Sequence, residues 1–423
     1  MNWLDELVHQ HDELESPLSF WRWSAIAAIS AIVKDNVWMN RQIYNLYPNI
    51  YVMLHADSGL KKGPPINMAK QLVKIVNNTK IISGRSSIQG ILKDLGTAYT
   101  VPGGKVVNKS VAFICSSELS SSIVSDPVAT TILTDLYDRQ YNVGEWRSLL
   151  KMETFNLKDP TITMLTATNE SMGESFFSAK DVNGGYFART FIIYEGKRNK
   201  ANSLIYPLSH TPNYIQSSEY LKKVAALSGP FQPLASMEKD DVFTIPKKKG
   251  DRVVFFNETG LIYDDWYDDF LSTVDAQDTK DDTGTLNRFG DSVLKVAMLL
   301  SLAREPNLII HKDSMLEAIK LCERLVGNIR RTTMGKKGMS QAAPLKGMII
   351  NEMLNRETHQ VTRTVLMKKM WMHYTDSQEF DAMMQSLDAA GIVKTNSVGN
   401  NIIYSMPKEQ VKALREYLEG KNK

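Results

Sequence analysis

The sequence predicts an α/β protein with a helical N-terminal element, a helical lid and a small C-terminal unit. Three observations predict it. Between residues 49 and 195, short apolar runs alternate with amphipathic helix-like runs. The stretch "NIYVMLHADSGLKKGPPINMAKQLV" (49–73) reads as a strand, a tight glycine turn and a helix. Residues 344–406 read as three short helices followed by two strands around an Asn/Gly/Ser turn.

Taken in order, residues 1–48 carry apolar positions such as Trp3, Leu4, Leu7, Phe20 and Trp23, and read as helices propping up the core that follows. The core, 49–256, has strand candidates at 49–55, 110–115, 161–168 and 190–194, and helix candidates at 66–76, 86–95 and 127–138. Turns such as "VPGGK" (101–105) separate them. From about 196 the order loosens through proline-containing stretches. The periodic runs "LNRFGDSVLKVAMLLSLA" and "DSMLEAIKLCERLVGNIRR" make 257–335 a helical lid. "TTMGKKGMSQAA" reads as a linker, and 344–423 as a winged-helix variant of the helix-turn-helix plan.

With 423 residues there is chain enough for two or three domains, each with its own core. A hydrophobic content of 43% and a charged content of 23% are ordinary for a soluble globular protein. The net charge of +3 makes any basic surface local rather than global. Cys115 and Cys322 lie far apart inside apolar runs, which predicts buried, reduced thiols with no disulfide frame and no zinc set. "MNWLDELVHQHDELE" lacks the basic-then-apolar order of a signal peptide, and "WSAIAAISAIV" is too short to span a bilayer. The expectation is a cytoplasmic protein with no membrane partner.

The turn after the first core strand is the first candidate site. A phosphate cradle needs a buried strand delivering a turn whose N–H groups surround phosphate, a lysine reaching the outer oxygens, and a helix presenting its positive end. Here Ala56, Asp57, Ser58, Gly59 and Leu60 lead to Lys61, Lys62 and Gly63, with Lys62 where the phosphate lysine belongs. Gly63 stands where a hydroxyl residue normally holds magnesium, and Pro64 and Pro65 add no N–H donors. A solvated lysine turn is the plain alternative. Downstream, "SVAFICSSELSSSI" ends a strand in a small polar cluster with one acid, Glu118, suited to orienting an attacking water. "DPTITMLTATNESM" ends in Asn169, whose amide suits a terminal phosphate, and "NGGYFARTFIIYEG" presents Arg189 ahead of a final strand. Four such groups in order weigh more than any one.

These residues resemble the P-loop ATPase module of phage- and plasmid-encoded primase-helicases, relatives of RecA-like and AAA+ helicases. The resemblance runs through "FWRWSAIAAISAIV", "LYPNIYVMLHADSGLKKGPP", "AFICSSEL", "TATN", "GGYFARTF" and "RFGDSVLKVAMLLSLA", about 300 residues. It implies a P-loop NTPase core binding ATP and Mg2+, with Ser58, Gly59, Lys61, Lys62 and Gly63 in the phosphate loop. It makes Lys62 the Walker A lysine, Glu118 the Walker B acid and metal ligand, Asn169 sensor 1, Arg189 an arginine finger and Arg288 a sensor 2 group. Ser117 departs from the usual Walker B aspartate as Gly63 does from Ser or Thr. The implied activity is ATP-driven helicase work on single-stranded DNA by a hexameric ring of a virus or mobile element, in the host cytoplasm if virus-encoded. A primase or polymerase of the same replicon is the implied partner. A replication initiator or helicase loader with little hydrolysis is the alternative, and a DNA-binding regulator acting through the winged helix is a further one.

For nucleic acid, "YNVGEWRSLLKMETFNL" (141–157) suggests a hairpin offering Trp146, Arg147 and Lys151 for stacking and phosphate contacts; a surface hairpin with ordinary charges is the alternative. "KRNK" (197–200) and "KKK" (247–249) are basic runs of the kind that is usually a solvated face. The third helix of the C-terminal unit, "SQEFDAMMQSLDAA", carries Glu379, Asp381 and Asp388 and no Lys or Arg, which opposes a recognition role, leaving Lys368, Lys369 or the wing.

Overall fold

The computed structural model describes residues 2–41, 44–83, 87–101, 103–117, 127–138, 145–150, 153–168, 185–200, 212–232, 243–245, 254–256, 258–276, 286–334, 346, 349–350, 352–356, 358–370, 377–398 and 401–420. The chain divides into two compact units, Met1–Thr332 and Thr333–Lys423.

The first unit is built on five strands: β1 (Tyr51–His55), β2 (Lys80–Ser83), β3 (Val111–Ser116), β4 (Thr161–Thr168) and β5 (Thr190–Tyr194). They pair in the order β5-β1-β4-β3-β2, all parallel. The interior strands are buried on both faces, which is why they read as continuous apolar runs. β2 is an edge strand of four residues with two half-buried positions and one exposed, too short and too mixed to stand out in the sequence.

Helices cover both faces: α1 (Trp3–His9), α2 (Leu18–Val33), α3 (Gly63–Val76), α4 (Ile88–Leu95) and α5 (Pro127–Tyr137). The connection from β1 to β2 runs one way across the sheet, and every later connection runs back. Right-handed crossovers then put α3 on one face and α4 and α5 on the other. The side chains agree, with period 2. Val52, Leu54, Phe113, Cys115, Leu165 and Ala167 pack with α2 and α3, whereas Tyr51, Met53, Ala112, Ile114, Ile162 and Met164 pack with α4 and α5.

The N-terminal helices and the lid form no separate layers; they belong to the first unit's core. α2 buries thirteen of its sixteen residues, because "WSAIAAISAIV" has no polar face to give to water. The helix α6 (Phe289–Arg304), placed in the lid by sequence, is buried through most of its length and packs in the same cluster.

The second unit has helices α7 (Arg363–Met370), α8 (Ser377–Ala389) and α9 (Lys408–Gly420) beside a three-stranded antiparallel sheet. In that sheet, Asn401–Ser405 is central between Gln360–Thr362 and Lys394–Val398. The expected hairpin and two of the three expected helices are present; of residues 344–355, read as the first helix, 346, 349–350 and 352–354 are helical, and 344–345, 347–348 and 351 lie outside the described residues. Asp381 on α8 accepts two hydrogen bonds from Arg363, both 2.8 Å, so this acid serves the fold. The side chains of Glu379, Lys368 and Lys369 lie outside the described ones. Among the described residues no helix is long and apolar enough to cross a membrane.

Candidate functional site

Ligands of open parallel sheets bind beyond the carboxyl ends of the strands, where neighbouring strands send their connections in opposite directions. In this sheet that point lies between β1 and β4, and the loop 56–62 leaves β1 there. The loop is tight: Gly59 has φ +92° and Lys61 φ +50°, both left-handed. Glycine adopts the first freely; Lys61 adopts the second at a cost, and two contacts hold it. Ser16 Oγ donates to Lys61 O at 2.7 Å, and Glu15 approaches Lys61 Nζ at 4.0 Å. Lys62 folds over the loop, its Nζ donating to the carbonyls of Ala56 at 2.7 Å and Asp57 at 2.9 Å. Gly63 is the first residue of α3. Thus Ser58, Gly59, Lys61, Lys62 and Gly63 do form one turn between a buried strand and a helix N-terminus.

The strand ends beside this loop add groups that sequence reading did not single out. His55 ends β1 in register with Thr168 of β4 and Tyr194 of β5, and its ring meets the Tyr194 ring edge-on at 5.4 Å. Glu195 donates its N–H to His55 O at 3.0 Å, and its carboxylate accepts from Ser19 Oγ at 2.6 Å. Thr168 is buried, and its hydroxyl has no hydrogen-bond partner among the described residues. Only the strand register, not the local sequence, assembles these three.

For nucleotide phosphate the residues present fit: a lysine, a left-handed turn of backbone amides, a helix N-terminus and an orphaned buried hydroxyl at the next strand end. For magnesium the described side chains do not fit. Gly63 brings no hydroxyl, the exposed Ser117 no carboxylate, and no cluster of three metal-binding side chains occurs among the described residues. Glu118, Asn169 and Lys151 lie outside the described residues, as does the "KKK" run at 247–249. Cys115, at the end of β3, has its thiol pushed up to about 11 by burial, against the pull of Lys70, so it is no nucleophile.

Arg189 is not the free group that the sequence suggested. It immediately precedes β5, at the amino edge of the sheet and about 13 Å of strand away from the loop. It is 7% exposed; Nε donates to both Asp138 oxygens at 3.1 Å, Nη2 to Asp138 Oδ2, and Nη1 to Gly185 O at 2.9 Å. A finger has to reach outward, and this one is locked inward. Arg288 sits at the same edge, 3.8 Å from Asp138 with 45% of its side chain exposed, so it is not beside the chain's own loop as a sensor 2 group must be.

The expected hairpin is present as Glu145–Leu150 paired with Glu153–Lys158. Trp146, however, faces inward with Phe155 and Leu157 and packs in the α4 cluster, so it anchors the hairpin and offers no ring to a base. Alternation explains the error: Trp146 and Arg147 point to opposite faces, and only Arg147 is exposed. No model of a known protein family matches the chain, and no curated protein matches it.

Proposed function

We propose that this protein is an ATP-binding P-loop ATPase that drives a replicative helicase or translocase of a virus or mobile element along single-stranded DNA. The single observation carrying this reading is the loop 56–62. It leaves β1, an interior strand of a β5-β1-β4-β3-β2 parallel sheet, at the switch point, carries Lys62 across its mouth and runs into a helix N-terminus. In this reading Lys62 exchanges the carbonyls of Ala56 and Asp57 for phosphate oxygens, and the amides of the loop and Gly63 surround the anion. Glu118 and Asn169 supply the water-orienting carboxylate and the amide at the terminal phosphate. Magnesium accompanying ATP would be held mainly by the phosphates, by water and by Glu118.

An arginine serving a neighbouring subunit's phosphates has to be exposed and remote from its own loop. Arg288 meets both conditions and Arg189 only the second, so the homo-oligomeric ring, a hexamer by resemblance, rests on Arg288 here. The second unit, with its helices and three-stranded sheet, is consistent with a winged helix used for packing or protein contact. Gly63 and Ser117 specifically favour the second reading, a nucleotide-binding initiator or helicase loader with little hydrolysis.

The test is ATP binding and turnover of wild type and Lys62→Ala, each with and without single-stranded DNA. The expected result is DNA-stimulated turnover in wild type and loss of nucleotide binding in Lys62→Ala, with Lys61→Ala close to wild type. Binding without any turnover selects the initiator; equal, small effects at both lysines return the loop to a solvated turn.

A further inference from the structure

The hairpin that begins at Tyr99 gathers more positive charge than its surroundings balance. Tyr99–Thr100 pairs with Val106–Val107, and the tip carries Gly103 at φ +88° and Gly104 at φ +76°. A Cβ at either glycine would meet nothing within 4 Å, so the tip backbone is open to close approach. Lys34 and Lys109 at its base and Lys105, which closes the tip turn, gather near one carboxylate, Asp35. Lys109 Nζ pairs with Asp35 at 2.7 Å, and Lys34, in a left-handed conformation after α2, donates to Asn78 O. Lys105 is exposed and has no ion pair among the described residues. Lys80 alongside is already committed to Asp94 and to the Thr97 carbonyl. Three ammonium groups against one carboxylate leave two charges unbalanced. Lys34 registers the crowding, because its ammonium is pulled down to about 8 by burial, with Lys109 and Lys105 adding repulsion against Asp35.

The Tyr99 hairpin and the Glu145 hairpin rise from the same edge of the sheet. Ser110, just before β3, donates its N–H to Lys158 O at 2.7 Å, and Lys158 N–H donates to Ser110 Oγ at 3.0 Å. The face of the second hairpin bearing Glu145, Arg147, Asn156 and Lys158 thus continues from the lysine cluster, and with one acid against two bases it keeps a single positive charge in excess. The larger excess sits under the first hairpin.

We propose that the phosphodiester backbone of a single strand crosses this unit at Lys34, Lys105 and Lys109, beneath the glycine tip, rather than on the Trp146 hairpin. This rests on the reading of the protein as a DNA-driven ATPase. A strand of phosphates is the partner that relieves like-charge crowding at several points at once, and it gains from released counterions.

The experiment measures binding of a fluorescently labelled oligothymidylate by anisotropy between about 50 and 200 mM salt. It compares the full-length protein with Lys105→Ala, Lys105→Glu and Arg147→Ala, with labelled ATP bound in parallel. Lys105 is the residue to change because Lys109 is already paired with the buried Asp35. Each lost phosphate contact should flatten the log–log salt slope by about 0.7, so Lys105→Ala loses that much and Lys105→Glu more, with ATP binding unchanged. A slope untouched by both Lys105 variants overturns the inference, as does an Arg147→Ala effect larger than theirs. Wild type that binds ATP but no oligonucleotide also overturns it. A flattened slope in a protein that binds no ATP supports the cluster and removes the ATPase reading instead. If the Lys105 variants lose capture by anionic phospholipid vesicles while keeping the oligonucleotide slope, the cluster serves a membrane surface and the inference fails.

Discussion

Gly63→Ser asks whether the loop holds a phosphate-bound metal. A Cβ built on Gly63 meets no atom within 4 Å, and its φ is not left-handed, so serine enters without strain. Gly63 is the first residue of α3. Replacing glycine where the backbone suits any residue stabilises a fold by roughly 0.4–1 kcal/mol through the unfolded chain. Gly63→Ala should show that gain alone. Serine adds a hydroxyl at the position where the resembled family orders its magnesium. A hydrogen bond to a charged group is worth about 1.5–3 kcal/mol, which corresponds to roughly 10–100-fold in rate if it forms only with the reacting phosphate in line. Turnover is followed by phosphate release against magnesium concentration, and stability by thermal unfolding. The expected pattern is equal stabilisation by alanine and serine, with serine alone raising turnover and lowering the magnesium needed for half-maximal rate. If serine matches alanine in every readout, magnesium dependence of nucleotide binding included, the loop holds no phosphate-bound metal.

Arg189→Ala should destabilise the fold by about 3–5 kcal/mol, as breaking a buried pair does, whereas Arg288→Ala should stay within about 1 kcal/mol; denaturant unfolding of both variants decides, and a fully stable Arg189→Ala would reopen the finger reading. Trp146→Ala should cost about 3 kcal/mol from loss of a core aromatic, while the neighbouring Arg147→Ala leaves stability within about 0.5 kcal/mol; the same unfolding curves check this, and equal effects would contradict the inward ring. Lys295, wholly buried, is held by Asn49 O and Oδ1 at 3.0 Å and lies 3.8 Å from the Tyr137 ring centroid, and burial pulls its ammonium down to about 7. The unfolded chain keeps that proton to about 10.5 and the folded chain releases it above about 7, so between these values the unfolded state binds more protons and stability rises with pH. One such group contributes at most about 1.4 kcal/mol per pH unit, and Lys295→Met should remove that slope between pH 7.5 and 9; an unchanged slope would assign the pH dependence elsewhere, such as to Lys34, which is pulled the same way.

The strands were legible because burial on both faces writes itself as unbroken apolar runs: the expected 49–55, 110–115 and 161–168 fall within two residues of the observed β1, β3 and β4. The loop residues were legible because a strand, a glycine turn and a helix start are local signals. What failed was everything that depends on which side a residue faces or which strands are neighbours. Trp146 reads the same exposed or buried until Phe155 and Leu157 are set across from it. Arg189 reads as free until Asp138, fifty-one residues earlier, turns out to lie beside it. His55, Thr168 and Tyr194 meet only because β4 and β5 flank β1, a strand order that no local pattern records. The helix α6, placed in the lid by sequence, packs in the first unit's core for a related reason: it is as apolar as a core helix, and its buried Lys295 finds its hydrogen-bond acceptors on Asn49, 246 residues away in sequence.

The two arginines at the amino edge can be ranked by what release would cost each. Arg189 makes four hydrogen bonds from a nearly inaccessible position, and freeing it takes the main counter-charge from a carboxylate that is itself only 15% exposed, a change costing several kcal/mol. Arg288 shares that carboxylate at 3.8 Å from a half-exposed position, and exposed pairs of this kind are worth at most about 1 kcal/mol. Asp138 is already satisfied when Arg288 leaves. An arginine that changes partner with each nucleotide cycle has to be the cheaper of the two to move, because the cost of release is subtracted from whatever it contributes at the neighbour's phosphate. Arg189 therefore acts as the counter-charge that keeps Asp138 in place, and under the proposed ring reading Arg288 is the arginine of this edge that is cheap enough to release.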